Sequence, residues 1–237
     1  MGERLLVWNT RSGGGARVDR IVASIADHDP DTVVLTEFRA NRSGERLRGE
    51  LSLRGLLTQQ VAVSSPTENS VLLASRHSFR PRALDRDAEG LAHRVVVGER
   101  DSFVLIGLYF AQGRPKIPLF KHLERQSPSL LACDSILCGD FNTGEHYRDE
   151  KAATFIASDH FGHLFELGWI DAWRHFHGDA REYTWYSRAG NGFRIDHVLV
   201  SPSMLPRVVR ADYSHSEREQ GISDHSALVV ELKTNGT

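Results

Sequence analysis

Short apolar runs that end on a polar residue recur along the chain. Leu5-Leu6-Val7-Trp8 ends at Asn9, Val33-Val34-Leu35 leads to Glu37, residues 103–108 lead to Tyr109, and Ile136-Leu137-Cys138 leads to Asp140. Runs of this length, rich in Val, Ile and aromatic residues, read as buried strands. Between the first two, Val18, Ile21, Val22, Ile25 and Ala26 repeat at the spacing of one helix face. Asp29-Pro30-Asp31 then turns the chain. Strand, helix and strand at these lengths predict a crossover unit, which brings Asn9 and Glu37 to one end of a sheet. Residues 70–74, 94–97, 194–200, 208–213 and 227–232, with Trp185, carry further strand patterns. Residues 38–54 are arginine-rich and weakly patterned, a loop with one helix over 45–53. A short helix is expected at 118–125, and helical segments within 150–167, with Gly168 as a stop. No repeat or linker divides the chain, so one α/β domain over residues 1–237 is expected.

Leu137-Cys138-Gly139-Asp140-Phe141-Asn142 is the stretch around which the rest is organised. Gly139 is expected to break the strand. Asp140 and Asn142, two residues apart, then point to one side of a nearly extended chain. A carboxylate at the rim of a core needs a proton, a cation or strong donors. The same logic collects Asn9, Glu37, Tyr109, Asp140, Asn142, Asp196, Asp224 and His225 at strand ends or flanking loops. Sites in α/β sheets gather at such ends. Carboxylates and amides without a thiolate cluster favour Mg²⁺ or Mn²⁺ over zinc. Carboxylates with one histidine suit metal-assisted attack of water on a phosphoester.

Composition changes little. An apolar content of 40% and a charged content of 25% are those of an ordinary globular protein. No apolar stretch is long enough to span a bilayer, and Met1-Gly2-Glu3-Arg4 leads straight into a strand with no signal-peptide pattern. Two cysteines, Cys133 and Cys138, are too few for a zinc site, and Cys138 reads as a small core hydrophobe. The setting expected is reducing and cytoplasmic. The 29 basic and 31 acidic residues leave a net charge of −2, so bulk charge does not advertise nucleic-acid binding. A metal site, however, concentrates acids that the metal neutralises.

Five short motifs in order carry a resemblance. Val7-Trp8-Asn9, Thr36-Glu37, Gly139-Asp140-Phe141-Asn142, Arg194-Ile195-Asp196-His197 and Ser223-Asp224-His225 resemble the signature of the endonuclease/exonuclease/phosphatase superfamily. Asp171-Ala172-Trp173-Arg174, Tyr183-Thr184-Trp185-Tyr186 and Gly192-Phe193-Arg194 are similar to the exonuclease III type of apurinic/apyrimidinic endonuclease. The resemblance implies a four-layer α/β sandwich, two face-to-face β-sheets flanked by helices. It implies that Glu37 holds a divalent cation with Asn9 and Asp224 nearby. Asp140, helped by Asn142, would activate water. His225, fixed by Asp196, would contact the scissile phosphate, and Tyr109 would assist the phosphate or leaving oxygen. Gln112, Trp185, Phe193 and Ile195 match substrate-binding positions. Gln112 stands where the repair enzymes usually carry Asn, and Arg11 and Thr36 also depart from their pattern.

The expected function is a Mg²⁺- or Mn²⁺-dependent phosphodiesterase acting on double-stranded DNA, at abasic sites or 3′ ends, as a monomer and without a membrane. The alternative is a phosphoesterase of the same superfamily acting on a small or lipid phosphoester. A non-catalytic module is a third class, disfavoured because the catalytic set is complete. Trp173, His175, His177, His160 and His163 read as packing or surface residues. Gly13-Gly14-Gly15 reads as a flexible loop beside the site, lacking a P-loop's residues. The arginines within 39–54 suit either a nucleic-acid backbone or a solvated surface.

Overall fold

The computed structural model describes residues 2–62, 64–82, 86–100 and 102–233, with residues 86–89 described by backbone alone. Fourteen strands occur in these residues. They are β1 (Gly2–Asn9), β2 (Thr32–Phe38), β3 (Thr58–Val61), β4 (Ser70–Ser75), β5 (Arg80–Pro81), β6 (Val95–Glu99) and β7 (Val104–Tyr109). β8 (Ser135–Asp140), β9 (Ile170–Asp171), β10 (Trp185–Tyr186), β11 (Gly192–Phe193), β12 (Asp196–Val200), β13 (Val208–Ser214) and β14 (Ala227–Lys233) follow. The α-helices are α1 (Val18–His28), α2 (Arg42–Leu53), α3 (Ile117–Leu131), α4 (Ser158–Leu167), α5 (Ala172–His177) and α6 (Ser216–Glu219).

Two six-stranded sheets form, in the orders β13-β14-β1-β2-β4-β3 and β5-β6-β7-β8-β12-β9. Each contains one parallel pair, β1 with β2 and β7 with β8, and each pair is joined through a helix, α1 or α3. Residue parity assigns the layers. Leu5, Val7, Val34, Leu105, Ile136, Cys138, Val198, Val200, Leu228 and Val230 share the core between the sheets. Leu6, Trp8, Val33 and Leu35 face the other way, against Ile21 and Ile25 of α1 and Leu47 and Leu51 of α2. Ile106, Leu137 and Leu199 likewise pack on Leu119 and Phe120 of α3 and Phe161 and Leu164 of α4. Helices, sheet, sheet and helices make the four layers expected, with three buried apolar seams between them. No described helix is long and apolar enough to cross a membrane.

Several elements differ from expectation for identifiable reasons. β8 does not break at Gly139 but runs through it to Asp140. Gly139 has φ 141°, and a Cβ there would lie 1.9 Å from the Leu108 carbonyl oxygen, so glycine permits the strand to continue. α2 begins at Arg42, earlier than the 45–53 pattern, because the Asn41 side chain accepts from the amides of Ser43 (3.0 Å) and Gly44 (3.1 Å). α3 extends well past 125 and contains Pro128. Leu130 is buried beyond that proline, and this packing outweighs the lost backbone donor. Helix in the 150–167 segment is confined to α4. The Glu150 carboxylate takes the amides of Thr154 (2.7 Å) and Phe155 (2.9 Å), donors that a helix would need to pass on. β3, a half-buried edge strand, carries no apolar run and was not anticipated.

Candidate active site

The inward-facing rows of four strands end in polar side chains at one end of the inter-sheet core. Leu5 and Val7 precede Asn9, Leu105 precedes Tyr109, Ile136 and Cys138 precede Asp140, and Val200 and Val198 lead back to Asp196. Strand register makes the meeting close: Asp140 pairs with both Tyr109 and Asp196. Asn9, Asp140, Asp196 and His225 are all buried.

Asp140 is held by amides. Its Oδ2 accepts from Asn9 Nδ2 at 2.9 Å and Asn142 Nδ2 at 3.1 Å, and its Oδ1 accepts from the Asn142 backbone at 2.8 Å. Asn142 is not on an extended chain. It adopts φ 51°, a conformation asparagine tolerates, and so folds its side chain back onto Asp140. Burial, followed by the charge of Asp196, pushes Asp140 up to about 7, against the opposing pull of His225. Asp196 Oδ2 lies 2.9 Å from His225 Nδ1, which leaves Nε2 for the cleft. Burial alone would lower the His225 pKa, but the adjoining Asp196 carboxylate overrides it and raises the imidazole to about 10. The Asp196 backbone carbonyl accepts from Tyr213 Oη at 2.6 Å, and the Thr184 hydroxyl accepts the Ile195 amide at 3.1 Å. The pair is therefore braced from behind.

Glu37 reaches the site through a strand irregularity. Parity would aim it outward with Val33 and Leu35. The pairing of β2 with β4 shifts register between Thr36 and Phe38, and Glu37 adopts φ 53°. Bulges of this kind re-aim side chains beside functional sites. Its carboxylate accepts from the Ser12 amide at 2.6 Å and from Tyr109 Oη at 3.4 Å. The Gly13 amide donates to the Glu37 carbonyl at 2.7 Å, so the glycine loop does border the site. Burial, then Glu37, drives the Tyr109 phenol well above its usual range, so it stays a donor. Asp224 is half-exposed, 3.4 Å from Trp185 Nε1 and 3.9 Å from Arg11 Nε.

These groups line a cleft of about 250 Å³ with Glu37, Asp140, Asn142 and His225 on one side and Trp185, Phe193 and Ile195 on another; Gln112 also faces it. Trp185 and Phe193 belong to the β10–β11 hairpin, with ring centroids 5.7 Å apart, and Trp185 bridges to His225 along the backbone. The structure thus brings together all twelve side chains singled out from the sequence, Asp224 at the rim. It adds Lys116, Phe155 and Asn69. Lys116 is buried against the cleft, donates to the Asn142 carbonyl, and is lowered to about 8 by burial against the raising effect of Asp140. Its rarity was a signal, since the chain has four lysines among its 29 basic residues. Asn69 precedes β4, at the same end as Glu37, and donates to Tyr109 Oη at 3.3 Å. Searching strand starts as well as strand ends would have found it.

Two arrangements suit a cation. Asp140, Asp196 and His225 present ligand atoms within 4.8 Å of one another. Their mutual hydrogen bonds already use Asp196 and one His225 nitrogen, which suits proton handling better. Glu37 lines the cleft with Oε1 engaged, among the described residues, only by the 3.4 Å bond from Tyr109, and Asp224 stands 3.9 Å from Arg11. One or two carboxylates and open positions fit Mg²⁺, which keeps several waters and takes phosphate oxygens. Below the site lies a buried ionic cluster: Arg194 contacts Asp149 and Asp171 at 2.7 Å each, and Arg174 reaches Asp149 at 2.5 Å. Both guanidinium groups lie 4.9 Å from the Trp173 ring. Trp173 and His177 are stacked, 4.7 Å apart, and His160 and His163 pair with Glu124 and Glu166, as packing and surface residues should. Arg46 and Arg48 of α2 and Arg54 just after it are neutralised, by Asp19, Glu45 and Glu50 in turn.

Two facing mixed sheets with helices outside, and an acid–amide–histidine group where the strands end, define a four-layered α/β sandwich with a solvent-open polar site. The model of the endonuclease/exonuclease/phosphatase family matches residues 6–225, and the chain belongs to that family. Among relatives, an exodeoxyribonuclease of Streptococcus pneumoniae is 34% identical over 121 residues, 46% of this chain and 43% of that protein. Recombination repair protein 1 of Drosophila melanogaster is 27% identical over 164 residues, 58% of this chain and 23% of that protein. These matches therefore span less than half the length of either relative. In fold, a 3′ phosphatase from Neisseria bound to a product DNA hairpin superposes with a TM-score of 0.83 at 22% identity, covering 98% of this chain and all of that one.

Proposed function

We propose that this chain is a divalent-metal-dependent phosphodiesterase that hydrolyses DNA at abasic sites or 3′ ends. The observation that carries it is the convergence of Asp140, its two amide partners and the Asp196–His225 pair on the floor of an aromatic-walled cleft. Relatives named as an exodeoxyribonuclease and, in Dictyostelium discoideum, a DNA-(apurinic or apyrimidinic site) endonuclease support the substrate class. We take residues 1–237 as a single domain acting as a monomer on double-stranded DNA, in the cytoplasm; the free thiols of Cys133 and buried Cys138 suit a reducing setting.

In this reading Glu37, with Asn9 and Asp224 nearby, holds Mg²⁺ or Mn²⁺. The bound metal would supply charge neutralisation at the phosphate. Asp140 orients a water and accepts its proton, while Asn9 and Asn142 hold the carboxylate in line. The His225 imidazolium, kept protonated by Asp196, donates through Nε2 to a phosphoryl oxygen. Tyr109 donates to the phosphate or the leaving oxygen, and Gln112 and Lys116 bind phosphate. Trp185, Phe193 and Ile195 receive a deoxyribose without a base. Extruding such a sugar breaks no base pair, so the cleft selects it over an intact nucleotide.

The test compares kcat/KM on an abasic duplex, a matched intact duplex and a soluble aryl phosphodiester, with Mg²⁺ and with chelator. The abasic duplex should be the best substrate and chelator should abolish turnover. Phe193→Ala should erode the abasic preference more than it slows the aryl ester. If the small ester wins, or the abasic site makes no difference, the enzyme is a general phosphoesterase instead.

A further inference from the structure

Beside the active cleft lies a second one of about 630 Å³, whose lining includes His93, Arg94, Lys121 and Arg125 and, among the described residues, no carboxylate. The two clefts share a wall. Gly113 and Lys116 face the active cleft, while Pro115 and Ile117 face the second. Arg94 links them, with its guanidinium carbon 5.6 Å from the Tyr109 ring centroid. Its Nη1 is buried and has no hydrogen-bond partner among the described residues.

Charge pairing sets this cleft apart. Arg46 and Arg48 of α2 and Arg54 just after it are spent on Asp19, Glu45 and Glu50. Lys121 and Arg125 are exposed on α3, four residues apart and hence on one helix face. Neither has an ion-pair partner among the described residues, because the adjacent Glu124 is engaged by His160 at 2.6 Å. His93 has Glu68 at 3.8 Å, but burial and then Arg94 lower its pKa, so it adds little charge. Three cations therefore line one cleft with no acid among the described residues of its walls, although the whole chain is net negative. Like charges gathered without counter-charge repel one another and attract a polyanion. One helical turn between Lys121 and Arg125 is about 6 Å, a separation suited to successive phosphates rather than to one.

We propose that this cleft holds the phosphodiester backbone on one flank of the DNA whose scissile phosphate sits beside Asp140. The inference rests on the DNA reading given above and extends it, because a small phosphoester fills the active cleft alone and never reaches Lys121 or Arg125.

The double variant Lys121→Gln/Arg125→Gln tests it, both residues being exposed and neither lining the active cleft. Binding of a fluorescently labelled abasic duplex is followed by anisotropy in chelator, across a series of salt concentrations. The variant should bind about 10-fold more weakly at low salt. Its slope of log K against log salt should be shallower by about 1.8, two phosphate contacts at ~0.9 each. Hydrolysis of a soluble aryl phosphodiester with Mg²⁺ should be unchanged. Equal affinity and slope in variant and wild type would overturn the proposal, as would weaker binding with an unchanged slope. The two readings fail differently: wild-type enzyme that prefers the aryl ester removes the DNA assignment, whereas a variant that binds DNA like wild type removes only the cleft.

Discussion

Asp140 and His225 are each nearly sealed from water, yet both are built to carry charge or a proton. That combination is costly unless each group is answered by a partner, and the partners here are named: Asn9 and Asn142 for Asp140, Asp196 for His225. Changing Asp196 or His225 to Ala should each lower kcat by about 10²-fold or more. The double variant should lose little beyond the worse single, since the pair acts as one unit. Steady-state kinetics on the preferred DNA substrate checks this, and multiplicative losses would show the residues working apart. Glu37→Gln keeps size and removes charge. The Mg²⁺ concentration for half-maximal activity should rise, with Tm unchanged, because Glu37 lies outside all three apolar seams.

Elements are placed by a few residues whose conformation or pairing is not negotiable. Gly139→Ala would drive a methyl group into the Leu108 carbonyl. The expected cost is roughly 3 kcal/mol, together with loss of activity as Asp140 shifts. Gly49, inside α2 with open space where a Cβ would stand, should behave oppositely: Gly49→Ala should stabilise by about 0.5–1 kcal/mol in urea titration. The end of α1 is tied to α6 by His28 Nε2, 2.6 Å from Glu217 Oε1, and Ser24 Oγ donates to the same oxygen at 3.0 Å. Burial would raise Glu217, but the hydrogen bond from His28 helps lower it to about 2. A depressed carboxyl contributes its stability above its unfolded value and loses it as pH falls through the folded one. Wild type should therefore lose part of its stability between about pH 4.5 and 2 through this group. Glu217→Gln should start less stable at pH 7 and show a flatter acid limb, measured by urea midpoints across pH.

At the scale of the whole molecule, the site and the cores are separable. The three seams are apolar and helix-backed, and the polar cluster lies where the inter-sheet seam ends. Chelator should therefore abolish turnover while moving Tm by no more than a degree or two, which calorimetry on the same sample checks. A large fall in Tm would mean that a cation holds the sheets together. The cationic cleft lies outside this centre, across the wall formed by Pro115, Lys116 and Ile117, so length of DNA and salt should affect binding more than the chemical step.

Much of this was legible in one dimension. A period of two in the strands and 3.6 in α1 is enforced by burial, so the apolar runs, the crossover and the polar residues at strand ends could be read directly. Asn9, Asp140 and Asp196 needed only their parity with apolar neighbours to be placed on the inner face. Other features depended on distant partners. α3 continues through Pro128 because Leu130 finds a core across the sheet, and residues 150–157 stay non-helical because Glu150 takes their amides. The outward parity of Glu37 is overturned by a bulge against β4, which no local pattern in β2 encodes. The cleft of Arg94, Lys121 and Arg125 exists only once segments far apart in sequence share a wall. Local periodicity and residue chemistry determined which groups this protein has to work with; long-range packing and register decided which of them meet.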